Sequence, residues 1–416
     1  MGMEKGWKRR TVLFLVSQCI TLFGSTLVQF AMVWYVTRAT SSGAWVSALS
    51  ICSFLPQTLL SPLCGVLADR YDKKTLIVLA DAAIAVTTLL LVLCLPRIGE
   101  GNALLYALLA VSALRSVGAG VQVPAVNAMI PQLVPEAQLM RFNGVNATMQ
   151  SAVQFAAPAA AGAVLTLGTL SQTMLIDVAT AAAGIGVLLA AGVPAGRACA
   201  PTGEETGGSA ALSMGGEIRA GFRYTFGDAF LKRLMLLYGV FIFLSVPAGF
   251  LATLFVSRTY GDGYLYMTAV ELVGFLGMTA GGLLIGIWGG FQNRVRTLLT
   301  GLCAFGALAV GMGAIRNFIA YLALMLLYGV ALTMVQTAVT TLVQEKTDAA
   351  MQGRVFGYVG AIYGGCMPLG MAIFGPLADA MPMRPLMLLS GVALLALAAV
   401  YAALRGFVQA GEGEKA

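Results

Sequence analysis

The sequence predicts an all-α polytopic membrane protein, with twelve transmembrane helices in two pseudo-symmetric six-helix bundles. Three observations carry this. Hydrophobic residues make up 59% of the 416 and charged residues only 10%, against about half and about a quarter in soluble domains. The apolar stretches run for 19 residues or more, the length that crosses about 30 Å of hydrocarbon as a helix, whereas barrel strands alternate in segments of about ten. One long polar interruption, 194–232, divides the stretches six and six.

In chain order the spans fall at 11–36, 43–68, 75–96, 101–128, 143–167 and 171–193, then at 233–257, 264–289, 297–315, 318–343, 353–379 and 385–405. The expected domains are therefore an N-terminal bundle over 1–193, a cytoplasmic linker over 194–232 and a C-terminal bundle over 233–416. With the N-terminus inside, nineteen of the 25 Lys and Arg lie on cytoplasmic segments and five on outer loops, while Arg115 falls inside a span. Positive charge marks the cytoplasmic side, so both termini are expected there, in a bacterial-type inner membrane. Trp34, Tyr35 and Trp45 read as interfacial anchors. The first span continues to Val36, too long for a cleaved signal. The linker opens Pro/Gly/Thr-rich and closes as a basic amphipathic segment around Phe222, Phe226 and Phe230.

Composition also excludes chemistry. There is no histidine, and the seven cysteines sit mostly inside spans without paired spacing. No metal site, cofactor or catalytic constellation is expected, and the chain does not read as an enzyme. No G-x-x-x-x-G-K-[ST] occurs, so an ion gradient is the expected energy source. The net charge of +7 is what cytoplasmic loops of a membrane protein supply, and no nucleic-acid partner is implied. Bilayer, protons and a small molecule are the expected partners of a monomer.

One loop is unusually dressed. "GVLADRYDKK", Gly65 to Lys74, places five charges in ten residues between the second and third spans. The halves also echo one another: Arg141 and Gly144 precede span five as Arg354 and Gly357 precede span eleven. Two related halves are a common plan for secondary transporters. Gly65, Asp69, Arg70, Lys73 and Lys74 resemble motif A of the major facilitator superfamily, with Asp72 in place of its second glycine. The resemblance implies the major facilitator fold and a gating role for these residues with Arg141 and Arg354. A carboxylate at a span end can accept hydrogen bonds from a helix N-terminus of the other half.

Further stretches point the same way. "RSVGAG" from Arg115 resembles motif B, linked in the family to proton coupling, and an arginine inside a span must face a cavity or a partner. "APAAAG", Ala157 to Gly162, resembles an antiporter signature whose first glycine is replaced. "ELVGFLGMTAGGLLIGIWGGFQNR" and "MPLGMAIFGPLAD" are similar to the macrolide-efflux branch, which includes siderophore exporters. The resemblance implies export of amphipathic small molecules by alternating access with proton antiport. A lysolipid or lipid-precursor transporter of the same superfamily is the alternative. The run Gly277, Gly281, Gly282 and Gly286 is spaced for close helix packing.

Three acids lie clearly within spans, away from their ends: Asp81, Asp177 and Glu271. Ionised against lipid each would be costly, so each faces a cavity, pairs with a base or carries a proton. Glu271 is the first candidate for proton handling, followed by Asp177, Asp81 and Arg115. Candidate cavity residues are Gln18, Gln29, Phe30 and Trp34 in span one, Gln57 in span two, and Gln150 and Gln154 in span five. Spans seven and ten, which line the cavity in this family, add Phe241, Phe243, Met334 and Gln336. Such a lining suits an amphipathic organic molecule.

Overall fold

The computed structural model describes residues 6–99, 101–135, 138–192, 222–348 and 351–410, and the regular elements among them are helices. In order they are α1 (Trp7–Thr40), α2 (Gly43–Arg70), α3 (Lys73–Ile98), α4 (Asn102–Leu133), α5 (Leu139–Leu167) and α6 (Leu170–Ala190). There follow α7 (Ala229–Ser245), α8 (Ala252–Thr259), α9 (Tyr264–Trp288), α10 (Arg294–Ala314), α11 (Phe318–Lys346), α12 (Gln352–Ala380), α13 (Met383–Ala403) and α14 (Arg405–Ala410). Among the described residues, ten of these are long and apolar enough to cross a membrane; α5, α7, α8 and α14 are outside that set. Helices answer the solvent: in hydrocarbon every backbone group must be bonded within the segment. Residues 194–221 of the expected linker lie outside the described residues.

Polar residues set the helix starts. The Asp228 carboxylate accepts from Leu231 N at 2.7 Å, and Asn317 Oδ1 from Ala320 N at 3.1 Å. Thr169 and Gln172 form a reciprocal capping box on α6. Asp72, the residue that departs from motif A, caps α3 by accepting from Thr75 N at 2.9 Å. Its carboxylate closes the turn in place of the glycine.

The expected continuous span 233–257 is two helices. Residues 246–251 form turns between α7 and α8. Pro247 has no N–H to give a helical bond and Gly249 follows two residues on, so the helix stops at Ser245.

The chain divides into two compact units. Unit 1 is Met1–Ser41, Ala48–Glu204 and Asp262–Thr268; unit 2 is Ser42–Ser47, Glu205–Gly261 and Ala269–Ala416. In unit 1, α1 packs against α4, α5 and α6, and α3 against α4 and α6. Phe14, Ile77, Met129, Ile130 and Leu188 form a core there. Because α1 is packed on several sides, Trp34 is wholly enclosed and is not the interfacial anchor its sequence position suggests.

In unit 2, α10 packs against α11 and α13, and α7 against α12 and α13. Rings fill this core: Phe305 meets Phe241 with centroids 4.9 Å apart and Tyr328 at 4.1 Å. Phe222 and Phe226 stack at 4.5 Å and turn their edges to Tyr358 of α12. Close helix packing holds for half of the glycine run. A Cβ on Gly277 or Gly281 would meet the α11 backbone at Leu326 or Val330, whereas Gly282 and Gly286 have nothing within 4 Å.

Candidate functional site

Four helices of unit 1 bring polar groups together inside the protein. Arg115 stands near the middle of α4 and is 7% exposed; Asp177 of α6 is 1% exposed. Arg115 Nη1 donates to Asp177 Oδ2 and to Thr88 Oγ1 of α3. Arg115 Nη2 reaches the Ser25 carbonyl of α1 at 3.4 Å, and Ser25 Oγ donates to Asp177 Oδ1 at 3.5 Å. A guanidinium stays charged in any protein, and the pairing answers the cost of an arginine within a span.

Asp81 shares a face of α3 with Thr88, two turns away. It is 5% exposed, has no hydrogen-bond partner among the described residues, and lies within electrostatic reach of Asp177. The cluster thus holds two carboxyls and one guanidinium. With both acids ionised it carries one uncompensated negative charge at a buried position, and a single proton neutralises it.

A cavity of about 90 Å³ touches the cluster and is lined by Ser25, Gln29, Met32, Gln57, Arg115 and Ser116 among others. It has room for several waters but falls short of the roughly 300 Å³ or more of a drug-sized site. It opens Arg115 to water and ions and leaves no room there for a large ligand.

Of the residues expected to line a cavity, Gln29 and Gln57 do so here. Gln18 is 7% exposed and its Oε1 accepts from Gln122 at 3.0 Å. Phe30 packs on Trp34 at 5.6 Å, and Trp34 presents no surface to a cavity. Gln150 and Gln154 are exposed on α5, and Gln336 is exposed on α11. Phe241 is fully buried in the ring core of unit 2, so it is a packing residue in this conformation. Phe243 packs on Phe374 at 5.1 Å, and Met334 is 8% exposed.

Glu271, on α9, belongs to unit 2, and the Arg115 cluster to unit 1. It is half-buried with no hydrogen-bond partner among the described residues. The Tyr321 hydroxyl, within electrostatic reach of it, is enclosed and likewise unpartnered.

In the motif A loop, Lys73 is buried at the start of α3. The side chains of Gly65, Asp69 and Arg70 lie outside the described residues. Arg141 is exposed near the start of α5, and Arg354 is half-buried near the start of α12. Sequence reasoning singles out Arg115, Asp177 and Asp81 one by one and misses Thr88 and Ser25. Their one signal is that a charge within a span needs partners on neighbouring helices.

Comparison with known proteins adds the family context. The profile described as Major Facilitator Superfamily matches residues 14–371. Macrolide efflux protein A of Streptococcus pyogenes is 28% identical over 408 residues, covering 96% of this chain and 97% of its own. The protein of that name from Enterococcus faecalis is 27% identical over 336 residues, covering 79% and 99% respectively. Among solved structures, a bacterial homologue of the iron transporter ferroportin in an inward-facing state gives a TM-score of 0.70 over 97% of this chain and 98% of that one. At 17% identity it speaks to the fold alone.

Proposed function

Since this chain belongs to the Major Facilitator Superfamily, and is a membrane transporter rather than an enzyme, we propose that it exports amphipathic, macrolide-like molecules by alternating access in exchange for protons. The observation that carries the coupling is the charge count at Arg115. Asp177 and Asp81 outnumber the one guanidinium, and a cavity with room for several waters reaches it. A proton taken up there removes the excess charge, and a proton leaving restores it. Asp81 is the exchanging group because it spends no hydrogen bond on a partner, while Asp177 is held by Arg115, Thr88 and Ser25. Glu271 is a second unpaired carboxyl, in unit 2, and competes with Asp81 for the role.

The substrate class rests on the macrolide efflux relatives over nearly the whole chain. The polar cavity beside Arg115 is too small for such a molecule, so it serves the proton and not the drug. Cytoplasmic termini follow from the nineteen inner against five outer basic residues. Asp69, Arg70, Lys73 and Lys74 then stand at the inner membrane face as the motif A gate, with Arg141 and Arg354 close to that face.

The test is proton movement in everted vesicles holding a preset pH gradient, with erythromycin added. Wild-type protein should release protons on addition, and Asp81→Asn should not. Loss in Glu271→Gln alone would move the coupling to unit 2. No proton movement with erythromycin, ethidium or a catechol siderophore would remove the antiport reading.

A further inference from the structure

The last described helix, α14, is held in place by groups from three other helices of unit 2. The α13 helix stops at Leu404, whose carbonyl accepts from Phe407 N at 2.9 Å and from Val408 N at 3.1 Å, and α14 starts there. Phe407 is 1% exposed. Its ring stacks on Phe230, near the start of α7, with centroids 5.0 Å apart, and meets Tyr401 of α13 edge-on at 5.3 Å. The Tyr401 hydroxyl donates to the Arg233 carbonyl at 3.1 Å. Asn293, which caps α10, donates from Nδ2 to the Val408 carbonyl at 2.7 Å.

Three arginines gather around this apolar plug. Arg233 Nη1 lies 4.0 Å from where a Cβ on Gly406 would stand, beside the chain neighbour of Arg405. Arg296 N donates to Asn293 Oδ1 at 3.3 Å, so a single side chain joins Arg296 to Val408. All three arginines are exposed, as is Lys232 next to Arg233. Among the described residues none of the four has an acidic partner. Two acids are near these helix starts, and each is engaged. The Asp228 carboxylate accepts from Leu231 N at 2.7 Å, and Glu345 pairs with Arg294 at 3.2 Å. Glu412 and Glu414 lie outside the described residues.

The ring contacts and the Asn293 bond suffice to dock α14. Four like charges around so short a helix add nothing to that docking, since they repel one another. Their position points to the anion that would balance them. Helices α10 and α13 are long and apolar enough to cross a membrane. Arg296 and Arg405 stand at the ends of those helices, level with lipid headgroups rather than with hydrocarbon. An arginine fork can bond two phosphate oxygens at once, and aromatic rings are enriched at the same level. Basic clusters at span ends recognise anionic lipids in this way.

We propose that Arg233, Arg296 and Arg405, with Lys232, form a binding site for the phosphate headgroup of an anionic phospholipid. The bound phosphate ties the starts of α7 and α10 to the end of α13, with α14 as the floor of the site. The site depends on the surrounding bilayer alone, and on neither the exported substrate nor proton exchange.

The experiment uses the full chain purified in detergent, with native mass spectrometry reading the lipids that stay bound. Dioleoyl phosphatidylglycerol and dioleoyl phosphatidylcholine are added in equal amounts. Wild-type protein should retain the anionic lipid over the zwitterionic one by about tenfold or more. Arg233→Gln combined with Arg405→Gln should lower that preference by about tenfold, and Arg296→Gln alone by about fivefold. The single variant serves if the double one fails to fold. Arg316→Gln combined with Arg384→Gln removes the same charge at the opposite ends of α10 and α13, and should change the preference less than about twofold. No preference in the wild type, or equal losses in the two double variants, would overturn the site and leave these arginines as signals of topology. A preference that appears only after Glu412→Gln and Glu414→Gln would show that the chain's own acidic tail fills the patch, which overturns the lipid as its occupant.

Discussion

Arg115 of α4 and Asp177 of α6 form an ion pair inside unit 1, their side chains 8% and 1% exposed. Two desolvated charges are expensive, and their mutual attraction offsets the cost only while both are present.

Breaking the pair should therefore cost more than deleting it. Asp177→Asn leaves Arg115 without the carboxylate it bonds directly and should destabilise the protein by about 3–5 kcal/mol. The double variant Arg115→Met, Asp177→Asn should recover most of that loss. Thermal unfolding in detergent across the four-member cycle checks it, and strictly additive losses would show that the two side chains do not act as a pair.

Proton coupling and substrate passage should separate at Asp81. Asp81→Asn keeps the shape of the carboxyl but cannot exchange a proton. It should lower gradient-driven erythromycin efflux by tenfold or more while leaving erythromycin counterflow, which needs no net proton, within about twofold of wild type. Equal losses in both assays would assign Asp81 to structure.

The glycine run of α9 offers a comparison within one helix. Gly277→Leu and Gly281→Leu must push the α11 backbone away and should cost about 1–3 kcal/mol each. Gly282→Leu and Gly286→Leu meet open space and should be close to neutral. Folded yield and unfolding midpoint of the four variants test this; similar behaviour at all four sites would contradict the packing described.

Asp72 should stabilise the start of α3 through its bond to Thr75 N. Asp72→Ala should cost about 1 kcal/mol, and Asp72→Gly only a few tenths. Hydrogen exchange at the Thr75 amide should speed up several-fold in the alanine variant. No change there would mean the cap contributes nothing.

The helices of this protein are legible in its sequence because hydrocarbon imposes one rule on every span, and a run of apolar residues announces it. The break at residues 246–251 is announced more quietly, by Pro247 and Gly249. A proline alone does not decide between a kink and a stop, since Pro158 lies within an unbroken α5. Lateral facts are harder. Trp34 reads as an anchor because of its distance from the span end, but how many helices surround α1 decides its burial. Phe241 reads as cavity lining by helix number and is core by rotation. Arg115 and Asp177 are 62 residues apart, and only helix packing brings them together.

The interruption between α7 and α8 has a reach beyond its role as a boundary. The last carbonyls of α7 and the first amides of α8 face the same short stretch, where Val246, Ala248, Leu251 and Ala252 are each at most 1% exposed. Opposed ends of two helix dipoles converge on it. The peptide groups there bond one another across the break, Gly249 N to the Ser245 carbonyl at 2.9 Å and Leu251 N to the Val246 carbonyl at 3.1 Å, so the interruption is closed without any side chain. Scanning every charged and polar side chain of the protein would pass over it. Only changes to the chain itself, an ester in place of an amide or a residue in place of Pro247, would show what it does.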